Sequence, residues 1–200
     1  MDGFSNHTYM WSPPTRQITM LSSVAALCIS IQLTPRPPNV EFTSLIVFLV
    51  GTIFGIPIAT GLGALVMFIN GFFSPWGFAG LMIPFQVIGM AIVGVGGGLY
   101  RRKKEGSYDI NSCIEAAILG AFLTLVYDVI TNFGVAVSYM LVGMPILLAF
   151  INAIIFGALF SLIHVVSNTI VFALIFFPLS NALQKLLGGE NTWKKVPLPT

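Results

Sequence analysis

The chain has 200 residues, 56% of them apolar and only 8% charged, with nine Lys/Arg, seven Asp/Glu and a net charge of +2. At a mean hydropathy of +0.92 it lacks the polar surface that a soluble domain needs, and its few basic residues sit at segment ends and form no nucleic-acid stripe. The ten-residue alternation of a transmembrane barrel is missing as well, which leaves a polytopic helical membrane protein.

The segment 1–15 carries Asp2 and Pro13-Pro14 but no Lys or Arg. It reads as a flexible, turn-rich lead-in without the basic start of a signal peptide. The first apolar run, 17–33, ends at Thr34-Pro35-Arg36-Pro37-Pro38, because proline lacks the amide donor that a continuing helix requires. The next run, 42–70, is too long for one upright helix, and Gly55-Ile56-Pro57 divides it into 43–54 and 58–71. Phe73-Ser74-Pro75-Trp76-Gly77 then precedes a run at 81–100, and a basic loop follows at 101–111. The remaining apolar runs are 112–137 and 146–177, joined by a turn at 138–145, with Pro178 expected to stop the last helix. This gives a lead-in at 1–15, a transmembrane domain at 16–178 and a tail at 179–200.

Four of the basic residues stand together as Arg101-Arg102-Lys103-Lys104. Short basic loops stay on the cytoplasmic side of a membrane, and the tail with Lys185, Lys194 and Lys195 favours the same side. Arg16 joins them if Gly55-Ile56-Pro57 is a full turn, giving an all-α bundle of six transmembrane helices with both termini cytoplasmic. If that segment is only a kink, there are five spans and the N-terminus lies outside. Two short glycine-interrupted segments also fit the discontinuous helices found near transporter substrate sites.

With six spans, the polar residues gather in the extracellular half. Asn39 and Glu41 come from the first outer loop, Trp76 from the second and Tyr139 from the third. Asn70 closes the third helix, and Gln86 lies one turn into the fourth. Asp128, Thr131 and Asn132 share a face of the fifth through i,i+3/i+4 spacing, and Asn152 lies near the outer end of the sixth. A polar half beside an apolar half reads as a substrate site filled from one side, since a pore needs polar lining throughout. A carboxylate at the depth of Asp128 costs about 2.5–3.5 kcal/mol to insert, so it reads either as a ligand contact or as a buried helix-to-helix bond. His164, with Ser161 and Asn168 on its face and no second histidine or close carboxylate to accompany it, reads as a neutral imidazole bonding between helices. Glu115 reads as a solvated charge beside the basic loop, and Cys28 and Cys113 as packing residues.

Neither HExxH, GxSxG nor a phosphate-binding Gly-Lys-Ser/Thr loop is present, so no catalytic, metal or cofactor site is expected. The glycines at 94–98, with Gly51 and Gly55, are expected to let helices approach closely. Small residues repeat every four positions as Ser22, Ala26 and Ser30 on the first helix and as Ala153, Gly157 and Ser161 on the last. Spacing alone makes each stripe equally suited to a partner helix or to packing inside the bundle.

The succession Pro38-Asn39-Val40-Glu41, Gly55-Ile56-Pro57, Ser74-Pro75-Trp76-Gly77, Pro84-Phe85-Gln86 and Tyr127-Asp128-Val129-Ile130-Thr131-Asn132 resembles the substrate-binding (S) components of energy-coupling factor vitamin transporters. The resemblance covers about 16–178 and looks most like the cobalamin-like branch. It implies a prokaryotic plasma-membrane receptor that captures a vitamin as substrate, with no resident cofactor. It also implies partnership with a coupling transmembrane subunit and two cytoplasmic ATPases. The family's first-helix Ala-x-x-x-Ala motif falls on Ser22 and Ala26, a departure to Ser that keeps the small volume, which turns that stripe toward partner docking. The alternative is a stand-alone, ion-coupled secondary transporter using Asp128 and His164, although no internal repeat supports it.

Overall fold

A computed structural model describes residues 14–104 and 108–186. Most of the lead-in at 1–15, the tail beyond 186 and residues 105–107 of the basic loop lie outside the described residues. The described chain is all-helical: α1 Pro14–Leu33, α2 Thr43–Phe54, α3 Ile56–Phe73, a 3-10 turn Gly80–Met82, α4 Ile83–Lys104, α5 Ser112–Leu141 and α6 Ile146–Leu186. α3, α5, α6 and α4 with the turn ahead of it are each long and apolar enough to cross a membrane. Along α6, Leu147, Phe156 and Leu174 all face outward, as lipid-facing side chains do.

Proline and glycine set the element ends. Pro14 opens α1, where its missing N–H is one that the first turn leaves unpaired in any case. Gly55 has φ 88° and ψ 177°, a conformation closed to residues with a Cβ, and it separates α2 from α3. The break is a full reversal. Along α2, Ser44 lies against Met90 and Gly51 against Gly94 and Gly98, so α2 runs with α4. Along α3, Ile56 meets Gly98, Gly63 meets Met90 and Gly71 meets Ile83, so α3 runs against α4. The turn's backbone is paired, with the Gly55 N–H donating to Gly51 O at 3.0 Å and the Ala59 N–H to Gly55 O at 3.3 Å.

The reversal leaves α2 with 12 residues, about 18 Å of helix against a hydrocarbon layer of about 30 Å. α2 is therefore an internal half-helix, and all but one of its residues are buried. Only glycine permits its seat on α4, since a Cβ on Gly97 would stand 2.1 Å from the Phe48 carbonyl oxygen and one on Gly51 2.7 Å from Gly94 O. Phe48 anchors the core here, with Phe172 at 5.4 Å and Phe176 and Tyr100 at about 6 Å between ring centres.

Three expectations change. Six α-helices form, but among the described residues four, and not six, are long and apolar enough to cross a membrane. α6 does not stop at Pro178 but continues to Leu186. Phe176 and Ser180 on either side of the proline are fully buried, and neighbouring helices compensate for a missing backbone bond inside such bundles. The helix therefore runs past the limit expected at 178. The loop 34–41 is also not a free outer loop, because Asn39 bonds Phe160 and Ser167, and Glu41 bonds Asn168, all within α6.

α5 runs against both α4 and α6, with Leu123 on Gly96, Tyr127 on Gly89 and Phe172 on Gly120. The basic residues 101–104 and Lys185 thus share one end of the bundle. The end of α3, the 3-10 turn and the start of α4 form the opposite end.

Candidate functional site

The inward fold of 34–41 begins with Arg36. Its Nη1 donates to the carbonyls of Ile31 at 3.1 Å and Gln32 at 2.8 Å, its Nε donates to Val40 O at 3.0 Å, and its Nη2 donates to the Gln32 carboxamide oxygen. The guanidinium therefore closes α1's carbonyl end, a favourable place for a cation. Asn39 takes a left-handed turn at φ 59°, which Asn tolerates better than most residues. Its Nδ2 donates to Phe160 O at 2.9 Å, and its carbonyl accepts from the Ser167 hydroxyl at 3.0 Å.

Glu41 is consequently buried. Oε2 accepts the Ser44 N–H at 2.9 Å, capping α2, while Oε1 accepts from Asn168 Nδ2 at 3.0 Å and lies 3.5 Å from His164 Nε2. On the other side of the same imidazole, Nδ1 is 2.7 Å from Asp128 Oδ1. Asn168 Nδ2 also donates to Thr124 Oγ1 at 3.0 Å. One buried polar network thus joins the inward loop, α5 and α6. It corrects the expectation that His164 has no carboxylate nearby, because it has two. The carboxylates face opposite ring nitrogens and do not converge on one point, and among the described residues no group gathers to hold a metal.

Above this network lies a cavity of about 390 Å³. Met67 and Asn70 of α3 and Gln86 and Met90 of α4 form one wall, and Tyr127 and Phe160 form another. Trp76 and Phe78, both largely exposed, border it in the 74–79 segment. That segment is held in place by Ala79 N–H to Gly71 O at 2.8 Å and Gly77 N–H to Ser74 O at 2.9 Å. The Glu41–His164 pair forms the floor, and the Phe48 core lies beyond it toward the basic end. The cavity is therefore one-sided.

Of the expected site residues, Asn39, Glu41, Asn70, Trp76 and Gln86 line this cavity, although Glu41 and Asn39 are also bound to the protein itself. Asp128 lies behind His164 and is not part of the lining. Thr131, Asn132 and Asn152 are elsewhere. Thr131 bonds back to the carbonyls of Tyr127 and Asp128, each at 3.1 Å. Asn132 reaches Ser161 Oγ at 3.4 Å in a space that Gly157 leaves open, and Asn152 lies 3.4 Å from Met144 Sδ. All three are helix-to-helix or local contacts. Sequence reasoning missed Gln32, Arg36, Tyr127 and His164 as lining. The available signal was Pro35 and Pro37 bracketing Arg36, since a cation just past a helix end has carbonyls to fold onto.

The two small-residue stripes separate clearly. Ser22, Ala26 and Ser30 are all exposed, on the side of α1 away from buried Val24 and Cys28. Ala153 is buried, and Gly157 and Ser161 meet Asn132, so the α6 stripe is used inside the bundle. Comparison of the chain with family models, curated proteins and solved structures finds no match.

Proposed function

We propose that the chain is a membrane receptor subunit that captures a vitamin or similar micronutrient at the end opposite the basic residues and delivers it through an ATP-driven energy-coupling factor transporter. The single observation that carries this reading is the one-sided cavity, closed below by the Glu41–His164–Asp128 network. A sealed floor holds a ligand but offers it no path onward, so release needs a further movement. The chain has no phosphate-binding loop of its own, so in this reading the energy comes from two cytoplasmic ATPases acting through a coupling transmembrane subunit. The exposed Ser22, Ala26 and Ser30 stripe is the docking surface for that subunit. In this reading the sidedness of Lys and Arg turns the basic end, and with it both termini, toward the cytoplasm, and the resemblance supplies the prokaryotic plasma membrane.

Small-ligand pockets measure about 300–1,000 Å³, and this cavity is near the lower bound. It suits a compact vitamin, whereas a cobalamin-like ligand would leave most of its bulk outside the mouth. The test is mass spectrometry of small molecules carried through detergent purification, followed by calorimetry with the molecule recovered. A single species at one copy per chain, whose binding weakens in Gln86→Leu, is expected. Purified chain that carries no molecule and restores no vitamin uptake when expressed with coupling subunits would contradict the proposal.

A second reading is favoured by the buried contact of His164 with two carboxylates. In a stand-alone, ion-coupled transporter, Asp128 and His164 would carry the coupling proton. That reading predicts substrate uptake into liposomes driven by a pH gradient without any partner subunit, while the receptor reading predicts none.

A further inference from the structure

The charged groups around the cavity are already paired within the protein. Arg36 is spent on three backbone carbonyls and the Gln32 side chain. Glu41 accepts from Ser44 and Asn168, and His164 is held at Nδ1 by Asp128, while its Nε2 makes no hydrogen bond and faces the Glu41 carboxylate at 3.5 Å. Other polar groups are also committed, since Gln32 Nε2 donates to Thr43 Oγ1 at 2.9 Å and Asn39 Nδ2 to Phe160 O. The carboxamides of Asn70 and Gln86 are different. They line the cavity from the last turn of α3 and the first of α4, and neither makes a hydrogen bond among the described residues.

A carboxamide is uncharged and offers donors and an acceptor in one plane. Turning it over exchanges their positions without changing what it can recognise. An ion entering this cavity would lose its hydration and find no free counter-charge, a cost that nothing in the lining repays. We infer that the ligand is an uncharged, planar molecule that pairs its own amide-like donor–acceptor edge with Asn70 and Gln86 while its ring packs against Trp76, Tyr127 and Phe160. This rests on the receptor reading and narrows its substrate class.

Three probes of nearly the same shape test it by calorimetry on the purified protein in detergent: uncharged benzamide, anionic benzoate and cationic benzamidine. Benzamide is expected to bind about tenfold tighter than either ion, the scale of one well-made hydrogen bond. Asn70→Leu and Gln86→Leu each remove that advantage, and Gln86→Glu shifts the preference to benzamidine. The inference is overturned if either ion binds as tightly as benzamide, if benzamide does not bind up to its solubility limit, or if these variants leave the order unchanged. A charged molecule recovered from the purified protein would overturn the uncharged class and leave the receptor reading standing. Failure of the receptor reading shows separately, as absence of any carried molecule together with absence of uptake.

Discussion

His164 lies between Asp128 on one ring nitrogen and Glu41 on the other, and all three are nearly inaccessible to solvent. Removing one member leaves buried charge or an unpaired donor, whereas removing Asp128 and His164 together leaves only Glu41, which keeps its Ser44 and Asn168 donors. Asp128→Ala is expected to lower stability by about 3–5 kcal/mol. The double variant Asp128→Leu/His164→Leu should cost clearly less than the sum of its single changes, because the two sites share one interaction. Unfolding by SDS in mixed micelles measures both, and additive effects would contradict the network. Sequence reading grouped Asn39, Asn70, Trp76 and Gln86, and all four line one cavity, since each stands near a proline or glycine break at a helix end. It failed for Asn132 and Thr131 because helical periodicity put them on Asp128's face without revealing that α6 covers it. The His164–Asp128 contact was hidden by register. A symmetric hairpin about the 142–145 turn would set Leu159 opposite Asp128, and the observed partner lies five residues further on.

At the scale of elements, glycine decides which helices exist as packed units. Gly97→Ala has no room beside the Phe48 carbonyl and is expected to cost about 2–3 kcal/mol by overpacking. Gly61→Ala, with nothing within 4 Å of its added Cβ, is expected to gain up to about 1 kcal/mol from helix propensity. The same unfolding measurement compares them, and equal effects would contradict the α2–α4 seat. The bounds of α2 were fully legible because Gly55 and the preceding prolines are local signals. The persistence of α6 beyond Pro178 was not, since burial of Phe176 and Ser180 is a tertiary fact that overrides local proline chemistry.

α5 has an acid-sensitive start. Asp109 Oδ1 accepts from the Ser112 N–H at 3.0 Å and from its hydroxyl at 2.8 Å, and the Asp109 N–H donates to Ser112 Oγ at 3.1 Å. The Ser112 hydroxyl bond holds the Asp109 carboxyl below its ordinary value. The sign follows from that depression. The cap is fully present above the unfolded carboxylate pKa and is lost as pH falls through the lower folded value. Hydrogen exchange at Cys113, Ile114 and Glu115 should accelerate, beyond the intrinsic trend, only below about pH 4. Asp109→Ala should exchange fast at every pH, and a pH-independent difference from Asp109→Asn would contradict the assignment.

For the whole molecule, the decisive property is asymmetry. One end holds a cavity and the other holds Arg101, Arg102, Lys103, Lys104 and Lys185 over a closed aromatic core. That asymmetry was readable in the sequence, because charge and apolar composition alternate along the helices in a way that sorts by end. The inward fold of 34–41 was not, since it depends on bonds across more than 120 residues, such as Asn39 to Phe160 and Glu41 to Asn168. If α1 docks a coupling subunit, Ala26→Leu should abolish co-purification with that subunit while ligand binding stays intact. Recovery of an undiminished complex would remove the stripe from the interface.

In the proposed receptor the cavity opens on the extracellular side and holds a ligand there. That orientation is tested by labelling single cysteines, in a background with Cys28 and Cys113 replaced by alanine, with a membrane-impermeant maleimide on intact cells. Ala79→Cys at the cavity lining is predicted to label from outside and to be protected by the molecule recovered from the purified protein, while Lys103→Cys labels only after the cells are opened. Labelling of Lys103→Cys on intact cells, with Ala79→Cys reached only after opening, would contradict that orientation.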